Sequence, residues 1–334
     1  MVKHIRQLKR ELVGAIISLA ITVLALTSTT YAWYVANNKV DATTSTISAT
    51  TNGFILQIAT LKEGVQHGGE QKSLEALTTG ATLSPSSTDN LKDWYVCAGW
   101  DDKGLVTGYS TPVFETGADV KPGNYKVSGD DYYAYIRSDY IVYTITDTGT
   151  ADVYLDASEG VPITVTPKTT NAGSTGSETV TGSMRVAITT QPLGEDGKTP
   201  TGKEELRLVY AVNDETGKGN DSTAIDGWTS IQNKAGTPVL GEVTYPYIYG
   251  GYYTDQLTAS SKNWVATKNG DNFTIPDNSE PIAKGVGYDG IVVHVYIWME
   301  GTDADCVNGK SIEDDPTTYD VTVKLAGVAT GENK

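Results

Sequence analysis

The sequence has few of the residues on which enzyme active sites and metal centres usually depend. Its 334 residues include only 3 histidines and 2 cysteines. His4 lies in the basic head of the chain, His67 in a glycine-rich stretch and His294 between two valines. The sequence lacks a His-Glu-x-x-His zinc motif and a Gly-x-Ser-x-Gly nucleophile motif. These absences predict a protein that is not an enzyme and has no catalytic residues.

Basic residues and phenylalanine are also scarce. The chain carries 25 Lys+Arg against 41 Asp+Glu, which gives a formal net charge of -16. A surface this acidic repels phosphate backbones, so nucleic acid is excluded as a partner. With 3 Phe and 20 Tyr, tyrosine has to provide most of the aromatic packing. The aromatic clusters at residues 94–100, 132–143 and 245–253 fit either a core with its rim or a carbohydrate-binding face.

The head of the chain has the three parts of an export signal. A basic start is followed by an apolar run at residues 12–26 and by the small residues Thr30 and Ala32. We predict cleavage between Ala32 and Trp33 by a signal peptidase, which places the protein outside the cell or on its surface.

An uncleaved membrane anchor is the alternative for residues 1–32. No charged residue occurs between Glu11 and Lys39, and an uncharged stretch of that length can cross a bilayer as a helix. The apolar run ends at Leu26, however. The run from residue 12 to residue 26 is shorter than the ~20 residues that a membrane-spanning helix needs. In either case the N-terminal segment is the only part expected to meet the membrane.

Residues 33–52 follow the signal and are rich in threonine, serine and alanine. They carry only Lys39 and Asp41 as charges and lack an apolar face that would hold a helix. We interpret this segment as a linker, or as an edge strand that needs a partner because it has no hairpin partner of its own.

The remainder of the chain, residues 53–334, has the pattern of a large β domain. No sustained 3.6-residue period occurs after the head, whereas short apolar runs alternate with turn residues. Strands are predicted at residues 54–59, 132–136, 140–146, 151–156, 184–190, 205–212, 291–299 and 319–325. This pattern predicts an all-β, jelly-roll-like antiparallel β-sandwich with long loops, preceded by the hydrophobic signal helix. The long connections at residues 62–127 and 213–289 leave room for a small inserted subdomain.

Two further sets of residues are candidates for covalent or ionic links. Cys97 and Cys306 fit either one long-range disulfide in an exported chain or two small buried side chains. Asp303 and Asp305 lie on an acidic loop that could supply oxygen ligands to calcium. The loop does not match the EF-hand pattern, so a solvated turn is the alternative and no other cofactor is expected.

The head and two distant segments resemble a known family. The sequence Thr-Tyr-Ala-Trp-Tyr at residues 30–34, followed by a Thr/Ser-rich stretch and Gly53, resembles the export signal and mature start of TasA/camelysin-type Gram-positive surface proteins. The segments at residues 183–188 and 295–306, and the strand at 319–325, are similar to clostridial relatives of that group. The resemblance covers about a third of the chain.

The resemblance implies a secreted jelly-roll subunit of a surface fibre or biofilm matrix. In such fibres the N-terminal segment of one subunit adds as a strand to the next, so the partner is an identical subunit. The residues expected to carry this role are Trp33, Tyr34, Val35, Val40 and Ile47. The alternative function is a membrane-anchored surface adhesin or carbohydrate-binding protein that uses the aromatic clusters.

Overall fold

A computed structural model describes the chain over residues 40–52, 56–65, 75–79, 82–88, 90–100, 106–117, 119–145, 149–168, 183–211, 247–249, 264–270, 272–277, 279–301, 306 and 317–330. The predicted signal, its cleavage junction and residues 33–39 therefore lie outside the described residues.

The described part of the chain is all-β and contains no helix, which confirms the predicted class. The first strands are β1 Val40–Asn52, β2 Leu56–Thr60, β3 Glu75–Thr79, β4 Thr82–Leu83, β5 Ser86–Thr88, β6 Trp94–Trp100, β7 Val106–Ser110, β8 Asn124–Val127, β9 Asp130–Tyr133 and β10 Ile136–Thr144. The later strands are β11 Thr150–Asp156, β12 Ile163–Lys168, β13 Met184–Pro192, β14 Glu205–Ala211, β15 Tyr247–Tyr249, β16 Val265–Asn269, β17 Asn272–Thr274, β18 Ala283–Val286, β19 Ile291–Met299 and β20 Thr317–Thr330.

The larger sheet has 11 strands and is organised around β20. Its main order is β17-β16-β11-β20-β1-β4-β9-β8, while β12 also pairs with β20, β18 with β11 and β3 with β1. β20 alternates buried residues with half-buried ones, so that Tyr319, Val321, Val323 and Leu325 face the core. This is the alternation that the sequence predicts for residues 319–325.

The second sheet has 6 strands in the order β15-β14-β13-β19-β10-β2. Its central strand, β19, pairs antiparallel with β13 on one side and with β10 on the other. The odd positions Val293, Val295 and Ile297 are fully buried and join the same hydrophobic cluster as the inward residues of β20. The two sheets therefore enclose one core, which gives a β-sandwich-like architecture.

A third, 3-stranded sheet is formed by β5, β6 and β7. It lies within residues 62–127, one of the two connections that the sequence marks as unusually long. A parallel bridge between Ser86 and Glu300, and a hydrogen bond from Gly301 N to Ser86 O at 2.8 Å, join it to the end of β19. The small sheet is thus attached directly to the second sheet.

Candidate functional site

The first strand is the candidate assembly element, and it lies in the interior of the larger sheet. β1 pairs parallel with β20, where Val40 is opposite Thr317 and Ile47 is opposite Val323. On its other side it pairs antiparallel with β3 and β4. The interpretation of residues 40–52 as a linker or edge strand is therefore wrong, because the strand has partners on both sides within its own chain.

The partners of β1 come from distant parts of the chain, which is why the sequence did not show them. β20 follows β1 only after almost the whole domain, and parallel strands cannot be joined by a tight hairpin. Threonine and valine favour the extended conformation of β1 itself, but its neighbours are set by the fold. Val40 and Ile47 of the predicted assembly set lie on this strand, whereas Trp33, Tyr34 and Val35 lie outside the described residues.

In the first two predicted aromatic clusters, Trp94, Tyr132, Tyr140 and Tyr143 are buried, whereas the side chains of the cluster at residues 245–253 lie outside the described part of the chain. Trp94 stacks on Tyr135 with ring centroids 4.4 Å apart and meets Trp298 edge-on at 5.6 Å. Tyr135 also packs against Tyr296, at 5.5 Å. Trp94, Tyr296 and Trp298 are buried, and Tyr135 is half-buried. These rings act as core residues, because buried faces cannot stack on a sugar.

A network of polar side chains crosses the second sheet on the side of the even-numbered positions of β19, which include His294 and Tyr296. His294 on β19 is 1% exposed, and its Nδ1 lies 2.7 Å from Asp139 Oδ1 on β10. Arg137 holds the same carboxylate, with its Nε 2.8 Å from Oδ1 and its Nη2 donating to Oδ2 at 3.1 Å. Burial alone would raise the pKa of Asp139, but the hydrogen bond from His294 and the charge of Arg137 outweigh it and lower that pKa.

The second ring nitrogen of His294 also faces an oxygen. Its Nε2 lies 3.1 Å from Gln191 Oε1 on β13. Gln191 is fixed in this orientation because its Nε2 donates to Gly202 O at 3.1 Å. The carboxylate of Asp139 and the amide oxygen of Gln191 are both hydrogen-bond acceptors, so the His294 ring lies between acceptors on β10 and β13.

The network continues to the start of β14. Tyr296 donates its hydroxyl hydrogen to Glu204 Oε1 at 2.9 Å, and Thr189 donates to the same oxygen. Arg137 is also hydrogen-bonded to Tyr296. Burial, followed by the charge of Glu204, raises the pKa of the Tyr296 phenol, which therefore stays a donor. The network thus connects β10, β13, β19 and the connection before β14.

The sequence predicted His294 only as a residue on a strand face. Its partners Asp139 and Gln191 are 155 and 103 residues away along the chain, so no local motif contains them. The one available signal is that His294 and Tyr296 occupy alternate positions of a strand that is otherwise apolar. That pattern indicates a second buried face with polar partners, but it does not identify them.

The two cysteines are both buried and both present as thiols. Cys97 is opposite Tyr109 in the pairing of β6 with β7. Burial, followed by the charges of Glu300, Cys306 and Cys97, raises the pKa of the Tyr109 phenol, so both sulfurs lie in the surroundings of this ring. A disulfide between them stays a prediction.

The predicted ion site and the predicted membrane contact both involve residues that the structure does not describe. Asp303 and Asp305 lie outside the described residues, and within those residues no group of three His, Cys, Asp or Glu side chains is arranged to hold a metal ion. No helix among the described residues is long and apolar enough to cross a membrane.

The fold and these sites define the class of molecule as an all-β, sandwich-like protein with an interior first strand. No protein-family model matches the chain, and no curated protein matches it significantly. The resemblance to TasA/camelysin-type surface proteins therefore stays a prediction from the residues of the head and the two distant segments.

Proposed function

We propose that this protein is a non-enzymatic structural subunit of an extracellular fibre or biofilm matrix. Residues 1–32 direct export, and the jelly-roll-like domain of one subunit joins the next through its first strand. The subunit is exported to the cell surface, and its partners in the fibre are identical chains. The signal-like head, the acidic composition and the all-β fold support this proposal, and the family resemblance suggested it.

The observation that carries the proposal is the position of β1 between β20 and the pair β3 and β4. β1 lies near the start of the chain, and its long parallel partner β20 lies near residue 330. If β1 moves into the same place in a neighbouring subunit, every backbone pair of the sheet is kept. Exchange between identical chains in a head-to-tail manner does not have to close, so it produces a filament.

If β1 is exchanged between subunits, the closed monomer and the open polymer contain the same strand pairs. They differ mainly in which chain supplies β1. Because the paired residues are the same in both, concentration decides the balance between them. The barrier is high, since a long strand must leave the middle of a sheet and expose unpaired backbone groups. We therefore expect filaments to form slowly from folded monomers and faster when chains fold together at high concentration.

A cross-link between β1 and β20 tests this proposal. Thr46 is opposite Thr322 in the parallel pairing. The variant carries Thr46→Cys and Thr322→Cys, together with Cys97→Ser and Cys306→Ser, in the chain that starts at Trp33. In filaments, oxidation should produce a covalent ladder on a denaturing gel without reductant, because the two new cysteines belong to different subunits. In dilute monomer the same bond forms within one chain.

Two results would contradict the proposal. Filaments whose cross-link stays within single chains would mean that closed subunits stack without exchanging β1. Failure of the chain starting at Trp33 to form filaments at any concentration would remove the fibre function itself. A variant with only Thr322→Cys is the matched control, and it should give no ladder beyond a dimer.

A further inference from the structure

The sequence contains three Asn-Gly pairs, at residues 52–53, 269–270 and 308–309. In such a pair the backbone nitrogen of the glycine can attack the side-chain amide of the asparagine, because glycine has no Cβ to block the approach. The structure describes both residues of one pair, Asn269 and Gly270. They lie at the tip of the hairpin formed by β16 and β17, where Asn269 is opposite Asn272.

The tip of this hairpin leaves both reacting groups accessible. Asn269 and Gly270 are exposed, and a Cβ placed on Gly270 would meet no atom within 4 Å. Gly270 has a φ of +64°, a left-handed conformation that glycine adopts without strain. In a two-residue hairpin the last ladder hydrogen bonds join the residues that flank the connection, here Asn269 and Asn272. The N–H of Gly270 is therefore not part of the ladder.

We propose that Asn269 is a site of spontaneous deamidation, which loosens the hairpin of β16 and β17. The Gly270 nitrogen gives its proton to solvent and forms a bond with Asn269 Cγ, while the Cγ–Nδ2 bond breaks and ammonia leaves. Water then opens the resulting succinimide ring, so that one water is consumed for each ammonia released. Opening at the side-chain carbonyl gives aspartate, whereas opening at the main-chain carbonyl gives isoaspartate. This inference does not depend on whether the chain forms fibres.

Isoaspartate changes the backbone itself. Its main chain passes through the former side chain and is one methylene longer, so residue 269 no longer fits opposite Asn272. The remaining pairs of the hairpin are Thr267 with Thr274 and Lys268 with Phe273. Because β17 is the terminal strand of the larger sheet and pairs only with β16 among the described strands, loss of one pair loosens it from the sheet.

Asn52 provides a comparison within the same chain. It is also followed by glycine, but it is paired with Val328 where β1 runs parallel to β20. Attack on its side chain requires β1 to leave the extended conformation of a paired strand, and such local opening costs free energy. We therefore expect Asn269 to convert at least about tenfold faster than Asn52.

Peptide mapping of the full chain tests this expectation. The protein is kept at pH 7.4 and 37 °C, and samples are digested with trypsin in oxygen-18 water, so that conversion during digestion is labelled and can be subtracted. Fragment spectra locate the mass gain that replacement of an amide NH2 by OH produces, and electron-based fragmentation distinguishes isoaspartate from aspartate. Asn269→Gln is the matched variant, since it keeps an amide but would have to close a larger, six-membered ring. Its peptide should stay unconverted at residue 269.

Hydrogen exchange measures the effect on the hairpin. In the purified isoaspartate fraction, amide hydrogens of residues 272–274 should exchange at least about fivefold faster than in the unconverted chain, the factor that loss of one net hydrogen bond gives. Asn269→Asp adds the same charge with a normal backbone, so its exchange should match the unconverted chain.

Three results would each overturn the proposal. The first is an Asn269 that stays unconverted while a synthetic peptide of residues 265–274 converts. The second is equal conversion of Asn52 and Asn269, because accessibility at the hairpin tip would then not select the site. The third is an isoaspartate fraction in which residues 272–274 exchange at the rate of the unconverted chain, since the hairpin would then not be loosened.

Discussion

Asp139 is the residue on which the charge balance of the buried network depends. Its carboxylate lies between the His294 ring and the Arg137 guanidinium, and its side chain is 21% exposed. A buried cation needs a paired anion, because taking an unpaired charge out of water is costly. Removing the charge of Asp139 therefore leaves the Arg137 guanidinium without its paired anion.

Asp139→Asn tests this balance through stability. The pKa of Asp139 is lowered in the folded protein, so its stabilising effect is present above the ordinary carboxyl pKa of about 3.9 and disappears as the pH falls through the lower folded value. We expect the substitution to lower the free energy of unfolding by about 2 kcal/mol at pH 7, a figure reduced for partial exposure. Urea denaturation between pH 7 and pH 2 measures it.

Comparing the free energy of unfolding of wild type and Asp139→Asn across pH decides whether the charge of the carboxylate causes the stabilisation. The difference between wild type and Asp139→Asn should shrink below pH 4, where wild type also loses the charge. Asp130→Asn, on the exposed part of β9, is the control and should match wild type within about 0.5 kcal/mol. An unchanged difference from pH 7 to pH 2 would show that shape, not charge, is responsible.

At the scale of the elements, local pattern predicted eight strands, which correspond to β2, β9–β11, β13, β14, β19 and β20, but it did not predict the short strands β3–β5, β7, β8 and β15–β18 or the partners of any strand. β19 was predicted with the bounds that the structure has, Ile291–Met299, and β20 was predicted as a core strand although it extends further at both ends. Both alternate strongly, and such alternation is a local property. The parallel pairing of β1 with β20 depends on the whole intervening fold, so residues 40–52 alone could not indicate it.

Deleting β1 and adding it back as a peptide tests whether the larger sheet accepts this strand from another molecule. A chain starting at residue 53 leaves β20 and β3 with unpaired edges where β1 would lie. A synthetic peptide of residues 33–52 should bind this chain with one-to-one stoichiometry, because it restores the backbone pairs on both sides. Titration calorimetry and gel filtration measure the complex.

The matched control is the same peptide with Thr46→Pro, since proline lacks the N–H that a central strand must donate. This peptide should bind at least tenfold more weakly. Equal binding of the two peptides would mean that the contact is not strand addition. Filaments formed by the truncated chain alone, without peptide, would show that β1 is dispensable for assembly.

At the scale of the whole molecule, charge opposes the proposed assembly. The full chain has a formal net charge of -16, and the subunit that starts at Trp33 is more negative still because residues 1–32 contain four Lys or Arg residues and one Glu. Such subunits repel one another, and the range of this repulsion is set by the ionic strength. The buried core does not change when subunits associate by strand exchange, so it neither adds to nor offsets the repulsion. Screening by salt is therefore expected to control how readily filaments form.

We predict that sodium chloride lowers the protein concentration at which filaments of the chain starting at Trp33 appear. Between 10 mM and 150 mM salt the Debye length falls from about 30 Å to about 8 Å, so neighbouring subunits no longer repel beyond close contact. Sedimentation of filaments after equilibration measures the threshold concentration.

Calcium and magnesium chloride at equal ionic strength then separate screening from a specific ion site. Equal effects of the two salts would mean that screening alone lowers the threshold. A lower threshold in calcium would assign ion binding to the acidic loop if the double substitution Asp303→Asn and Asp305→Asn abolishes it. A threshold that rises with salt would contradict the charge argument, because screening can only weaken repulsion between like-charged subunits.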